Sequence, residues 1–220
     1  LRQLGDGFLQ HPANQTLRSD LQEGSLAPLD YFQELLRLVY RFLFLLTAEE
    51  RNLLFHPGAT DEHKHLYENG YSIFRLREKA LKKRNYDQHS DLWQGLQVTF
   101  TSLARGAEPL GLTALGGLFA NDQCPNLDKG KIDNARLLEA VRSLSFFRSG
   151  NTLARINYRD MDTEELGSVY ESLLELHPKV DVSPWQFGFL GDEGGDNIQG
   201  SARKLTGSYY TPSSLVNELI

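Results

Sequence analysis

The chain has 220 residues, of which 40% are hydrophobic and 10% aromatic, as in an ordinary globular protein with a substantial core. Its formal net charge of -6 argues against strong binding of duplex DNA by this chain alone, because such binding relies on lysines and arginines that neutralise phosphates. The single cysteine, Cys124, excludes an intrachain disulfide and a cysteine-based zinc cluster.

The N-terminal stretch, residues 1–27, is polar and weakly patterned, and glycines and a proline interrupt it. We therefore predict a linker or a loosely attached arm there. After it, residues 28–178 are predicted to form a helical scaffold domain, a multi-helix bundle.

The first helix of this domain begins at Pro28 and is apolar over most of its circumference. Only a narrow polar stripe remains, formed by Glu34, Arg37 and Arg41. This pattern is typical of the buried centre of a bundle. The most apolar run, residues 35–46, contains two arginines and is too short to span a bilayer, so no membrane role is expected.

Amphipathic segments follow this helix and are its expected partners. They cover residues 61–69, 71–84, 90–105 and 133–148. Residues 106–131 are rich in glycine and proline, and we predict a long loop with at most a short turn around Leu118 and Phe119.

The clearest helix signal begins at Asp162 and Glu165, a D-x-x-E start that resembles a capping box. Apolar residues then keep helical spacing up to the stop at residues 177–178. Residues 179–202 are predicted to hold a short β element, indicated by the alternation in 180–190, and then a flexible glycine-rich acidic loop.

The last stretch, residues 203–220, opens a helix at Thr211 and Pro212 that the sequence does not finish. No stop signal follows its apolar positions, and residue 1 is not a methionine. We expect the chain to be a piece of a longer protein, with 203–220 as the start of a further domain.

Two motifs carry a resemblance to a known family. Residues 207–212 read Gly-Ser-Tyr-Tyr-Thr-Pro and precede a helix, which resembles the AdoMet-contacting segment of DNA adenine-N6 methyltransferases. Upstream, 157–160 read Asn-Tyr-Arg-Asp and 165–175 contain Leu-Gly-Ser-Val-Tyr-Glu. This run is similar to the segment that precedes the methylase in Type IIG restriction-modification enzymes and in the large methyltransferases of BREX and DISARM phage-defence systems. The run 43–54 also resembles their helical region.

The resemblance implies that the parent protein transfers a methyl group from AdoMet to adenine in double-stranded DNA, with or without a fused endonuclease. The fold implied is mainly α, followed by a short β element and the first edge of an α/β methyltransferase domain. The residues implied to contact AdoMet, once a catalytic domain follows, are Gly207, Tyr209, Tyr210, Thr211 and Pro212. The chain lacks the glycine-rich turn and the Asn-Pro-Pro-Tyr motif of such enzymes, so it should have no catalytic residues and be inactive alone.

The densest basic run lies between residues 75 and 84 and offers candidate contacts to DNA phosphates. The candidates are Arg75, Arg77, Lys82, Lys83, Arg84, Arg203 and Lys204. Such contacts position DNA without reading its sequence. A solvated helix face remains the alternative explanation, because Glu78 interrupts the run.

The sequence also allows other sites and functions to be considered. Asp61, His63 and His65 lie close in sequence and His56 is nearby, but histidines two apart on a helix diverge, and we expect no metal site. A non-enzymatic helical module that joins subunits of a defence complex is the main alternative function. An autonomous DNA-binding domain is a third possible function.

One cysteine and no visible signal peptide make a cytoplasmic location the expectation.

Overall fold

The computed structural model describes residues 1–191, without the side chains of Thr163 and Tyr170. The helices are α1 (Arg2–Gln10), α2 (Gln15–Glu23), α3 (Pro28–Glu50), α4 (Asp61–Gly70), α5 (Ile73–Ala80), α6 (Asp91–Arg105), α7 (Asn134–Ser145) and α8 (Thr163–Leu174). Two antiparallel hairpins join β1 (Phe146–Ser149) with β2 (Thr152–Arg155), and β3 (Pro178–Asp181) with β4 (Gln186–Phe189). The mainly helical class is confirmed, whereas the expected methyltransferase edge at 203–220 lies outside the described residues.

Helix α3 is the centre of the bundle, as its all-round apolar pattern predicts. Buried side chains occur from Tyr31 to Glu50, and both Glu34 and Arg41 of its polar stripe are buried too. A buried charge needs partners. Arg41 donates to the carbonyl of Leu118 at 2.9 Å and pairs with Asp128 at 3.0 Å. None of the helices in the described part of the chain combines the length and the hydropathy that crossing a bilayer needs.

The long loop 106–131 is attached to α3 through the same stripe. The carboxylate of Glu34 accepts hydrogen bonds from the backbone N–H groups of Asn126 and Leu127, both at 3.0 Å. The predicted short turn exists as a 3-10 helix over Gly117–Phe119, and a second one covers Glu108–Leu110. The polar residues of α3 therefore fix a long loop instead of facing solvent.

Residues 1–27 are not the linker that the sequence predicted. They form α1 and α2, and Leu4, Phe8 and Leu9 are among the most buried side chains of the core. The misleading signal came from the glycines, which serve close packing here. A Cβ on Gly5 would lie 2.5 Å from Cγ of Phe187. Such a contact cannot be tolerated without a shift of the ring.

Two helices end earlier than predicted. Helix α7 stops at Ser145, and the chain continues into the β1–β2 hairpin, which the sequence did not indicate. Phe146 opposes Arg155, and Gly150 takes a positive φ of 61° in the tight turn. Helix α5 stops at Ala80 and is followed by a 3-10 turn over Lys83–Asn85.

The predicted start of α8 is confirmed in detail. Asp162 accepts a hydrogen bond from the N–H of Glu165 at 2.7 Å, and Glu165 accepts one from the N–H of Asp162 at 3.0 Å. This reciprocal pair is a capping box, which satisfies two N–H groups that an uncapped helix would leave free.

The predicted β element is the β3–β4 hairpin, and it is packed into the same core as the helices. Phe187 of β4 lies against Tyr31, Phe32 and Phe189, with ring centroids 5.9, 6.2 and 5.2 Å away. Its N–H donates to the carboxylate of Asp6 in α1 at 2.7 Å. The hairpin thus closes one end of the bundle.

Replacing Phe187 tests this packing. We expect Phe187→Ala to lower the free energy of unfolding by about 3–5 kcal/mol, because it opens a cavity among three aromatic rings. Urea denaturation followed by circular dichroism measures the change. The control on the same hairpin is Leu190→Ala, whose side chain is 66% exposed and whose loss should cost less than about 0.5 kcal/mol. Equal effects of the two changes would mean that the hairpin does not belong to the core.

Candidate functional site

The residues predicted to contact AdoMet lie outside the described part of the structure. They are Gly207, Tyr209, Tyr210, Thr211 and Pro212, and the basic candidates Arg203 and Lys204 share that stretch. Their roles stay predictions.

A cleft in the described region has a volume of about 890 Å³. It lies where the C-terminal end of α3 meets α4, α5, the 3-10 turn after α5 and residues 155–159. The last of these segments follows β2 and includes Asn157 and Arg159 of the Asn-Tyr-Arg-Asp run. One of the two motifs that carry the resemblance therefore lies beside the cleft.

The cleft brings together several of the predicted phosphate contacts. Arg75, Lys82 and Arg84 line it, while Lys83 is exposed on the neighbouring 3-10 turn and does not. Lys79, from the same basic run, also lines the cleft. These side chains come from α5 and the turn after it, so the early end of α5 places them around one opening.

Arg77 must be removed from the set of candidate contacts. Its side chain is only 2% exposed, and its guanidinium lies over the ring of Phe74 at 4.0 Å and donates to Glu50 at 2.9 Å. The sequence pattern predicts one set of phosphate contacts from the basic run, but a helix directs successive residues to different sides. Arg77 lies on the buried side of α5.

Two cations of the cleft are not predicted from the sequence. Arg155 at the end of β2 and Arg159 beyond it are distant from the basic run in sequence and line the same opening. Arg159 belongs to the quoted Asn-Tyr-Arg-Asp run, which was the available signal. Arg155 had none, because the β1–β2 hairpin that positions it was not predicted.

Glu50, the last residue of α3, holds these parts together. Its carboxylate accepts hydrogen bonds from Arg77 at 2.9 Å, from Arg155 at 2.7 Å and from the N–H of Arg159 at 2.9 Å. Desolvation alone would raise the pKa of this carboxyl. The hydrogen bonds from Arg155 and Arg77 outweigh it and hold the pKa below its ordinary value. Glu50 is therefore a paired anion with three partners.

Glu49, its neighbour, is a buried carboxyl on the cleft wall. It accepts from the hydroxyl of Tyr67 at 2.7 Å and from the N–H groups of Ile73 and Phe74 at 2.8 and 3.1 Å. The last two are at the N-terminus of α5, where the helix dipole favours an anion. Burial nevertheless raises the pKa of Glu49 to about 7, since the hydrogen bonds only partly offset the loss of water.

Two of the histidines near α4, His56 and His63, have structural partners. Nδ1 of His63 accepts from the N–H of Thr60 at 3.3 Å and completes the capping box of α4, and Nδ1 of His56 accepts from Gly58 at 3.0 Å. Over residues 1–191, no three metal-ligating side chains lie close enough to hold an ion.

Comparisons with protein-family models, with curated proteins and with solved structures find no match to this chain. The proposals below therefore rest on the residues and their geometry, together with the motifs described above.

Glu49 predicts a pH dependence of stability. Its folded pKa of about 7 exceeds the ordinary 4.5, so the native state binds more protons between these values, and its stability falls as pH rises through them. Relative to Glu49→Gln, the native protein should lose about 3 kcal/mol of unfolding free energy between pH 4.5 and about pH 8.

Urea denaturation at several pH values measures this difference. The control is Glu78→Gln, which removes the charge of an exposed carboxylate lining the same cleft and should show no comparable slope against the native protein. Parallel stability curves for the native protein and Glu49→Gln would contradict the assignment.

Proposed function

We propose that this chain is the helical scaffold of an AdoMet-dependent DNA adenine-N6 methyltransferase of the restriction-modification or phage-defence kind. The observation that supports it best is the position of the Asn157–Asp160 run. Its backbone is bound to the end of α3 through Glu50, and Arg159 from this run lines the basic cleft. The segment that resembles the approach to a methylase thus lies beside cations suited to a DNA backbone.

In this proposal the scaffold supplies position and the cofactor supplies the reactive methyl group. Residues 207–212 would form one edge of the AdoMet pocket, with free N–H groups at a helix start facing the carboxylate of the cofactor. The target adenine would leave the base stack to reach the catalytic domain. The cleft cations would hold DNA through phosphates, so sequence recognition would lie elsewhere in the protein.

A helical interaction module without enzymatic activity is the second candidate. It is favoured by an apolar groove of about 380 Å³ between α1, α3, α7, α8 and β4. Val169 lines this groove and is 39% exposed, and Leu174 on the same helix is 47% exposed. An apolar surface of this kind suits a partner protein, such as another subunit of a defence complex.

AdoMet binding separates the two candidates. Isothermal titration calorimetry would compare the 220-residue chain with the full-length product of its gene. We expect binding only by the full-length product, and we expect Tyr210→Ala combined with Thr211→Ala to abolish it. Ser208→Ala, in the same segment but outside the predicted contacts, is the control and should bind normally. No binding by the full-length product would favour the interaction module.

A further inference from the structure

Four of the six cations that line the cleft have no carboxylate partner among the described residues. Over residues 1–191, no carboxylate lies within 4.0 Å of the charged groups of Arg75, Lys79, Lys82 or Arg84. By contrast, Arg41 and Arg77 are each paired at 3.0 Å or less. Four cations that converge on one opening without counter-charges raise the local potential and attract anions.

The side chain of Arg75 provides a second observation that points to a bound anion. Its Nε is fully buried and finds no hydrogen-bond acceptor among the described residues. Buried donors are nearly always satisfied, and one that is not calls for an explanation, such as a bound water or ion. The side chain also lines the cleft, so an acceptor bound there could approach this guanidinium.

The carboxylates of the cleft do not cancel this charge. Six cationic side chains line it against four carboxylates. Glu50 is already neutralised by Arg77 and Arg155, and burial raises the pKa of Glu49 to about 7, so it is only partly charged near neutral pH. The cleft is therefore positive although the whole chain carries -6.

The size of the cleft limits the ligand. A volume of about 890 Å³ suits a nucleotide or a short piece of one strand. Arg155 offers a planar surface inside it. Its guanidinium lies 5.3 Å from the centroid of Phe74, and its side chain is half exposed. Guanidinium planes held in this way stack on unpaired bases.

The β1–β2 hairpin extends the row of cations away from the cleft. Arg155 pairs in register with Phe146, and Arg148 pairs with Leu153, so Arg148 lies on the same hairpin face as Arg155. Two residue pairs along the strands correspond to about 7 Å. Exposed Arg148 thus continues the row that Arg159 and Arg155 begin.

We propose that this cleft binds the phosphates of an unpaired nucleotide strand through Arg75, Lys82 and Arg84 of α5 and the turn after it, together with Arg155 and Arg159 of β2 and the segment after it. Arg148 contacts the strand where it leaves the cleft. The site needs only described residues and no catalytic domain, so it holds or fails independently of AdoMet binding. The ligand chemistry is that of a nucleoside phosphate, and a free nucleotide is the other possible source.

Fluorescence anisotropy of a labelled oligothymidylate of about ten nucleotides tests this site on the 220-residue chain at about 50 mM salt. Lys82→Glu with Arg84→Glu should weaken binding by about tenfold or more. Loss of two phosphate contacts should also reduce the slope of log affinity against log salt by about 1.4, at roughly 0.7 per contact for a single strand.

The matched control is Lys129→Glu with Lys131→Glu, two exposed lysines that do not line the cleft. It changes the net charge equally and should weaken binding less than about twofold. Equal losses in the two double variants, or no loss in the cleft variant, would overturn the proposal. Competition by adenosine monophosphate at a concentration that matches the oligonucleotide per phosphate would assign a free nucleotide, and failure to compete would assign a strand. Tighter binding of the duplex, lost in the same cleft variant, would contradict a site for one strand.

Discussion

The need to neutralise one buried carboxylate, Glu50, determines how the distant parts of this chain meet. Glu50 ends α3 and is 8% exposed, so its charge must be matched by partners inside the protein. Arg77 comes from α5, Arg155 from β2 and the N–H of Arg159 from the segment after it. Arg77 lies far along the chain from Arg155 and Arg159, and all three donors meet at the end of α3. Arg51 adds to the junction by donating to the carbonyls of Arg159 and Met161.

The cleft follows from this junction. Because Glu50 binds Arg77 on the buried side of α5, the other face of that helix directs Arg75 and Lys79 towards the opening. Because it also binds Arg155 and Arg159, a second group of cations, from β2 and the segment after it, lines the same opening. The negative charge of Glu50 is balanced within the protein, so it does not neutralise the other cations of the cleft. Their positive charge is available to an anion from outside the protein. Buried charges of α3 are matched in the same way at Glu34 and Arg41, which fix a long loop.

Periodicity and capping predicted the parts of the fold that depend on local sequence. Helices α3, α6 and α8, the turn near Phe119 and the hairpin around Phe187 all follow from apolar spacing or from cap residues. The prediction of a linker over residues 1–27 was wrong, because the glycines at positions 5 and 7 permit close packing and do not break helix α1. The sequence predicted only the part of the site that the local basic run forms. The cations from β2 and the segment after it, above all Arg155, depend on a tertiary contact with Glu50 that no local pattern indicates.

Amide hydrogen exchange in the native protein and in Glu50→Gln tests the central claim most directly. A neutral glutamine cannot balance the charges of Arg77 and Arg155, so the segment 154–161 and helix α5 should separate from α3 more often. Mass spectrometry of peptides should therefore show faster exchange in 154–161 and 73–80, with helix α1 at 2–10 unchanged as the internal reference. Unchanged exchange at 154–161 would contradict the account, because it would mean that the junction does not depend on the charge of Glu50.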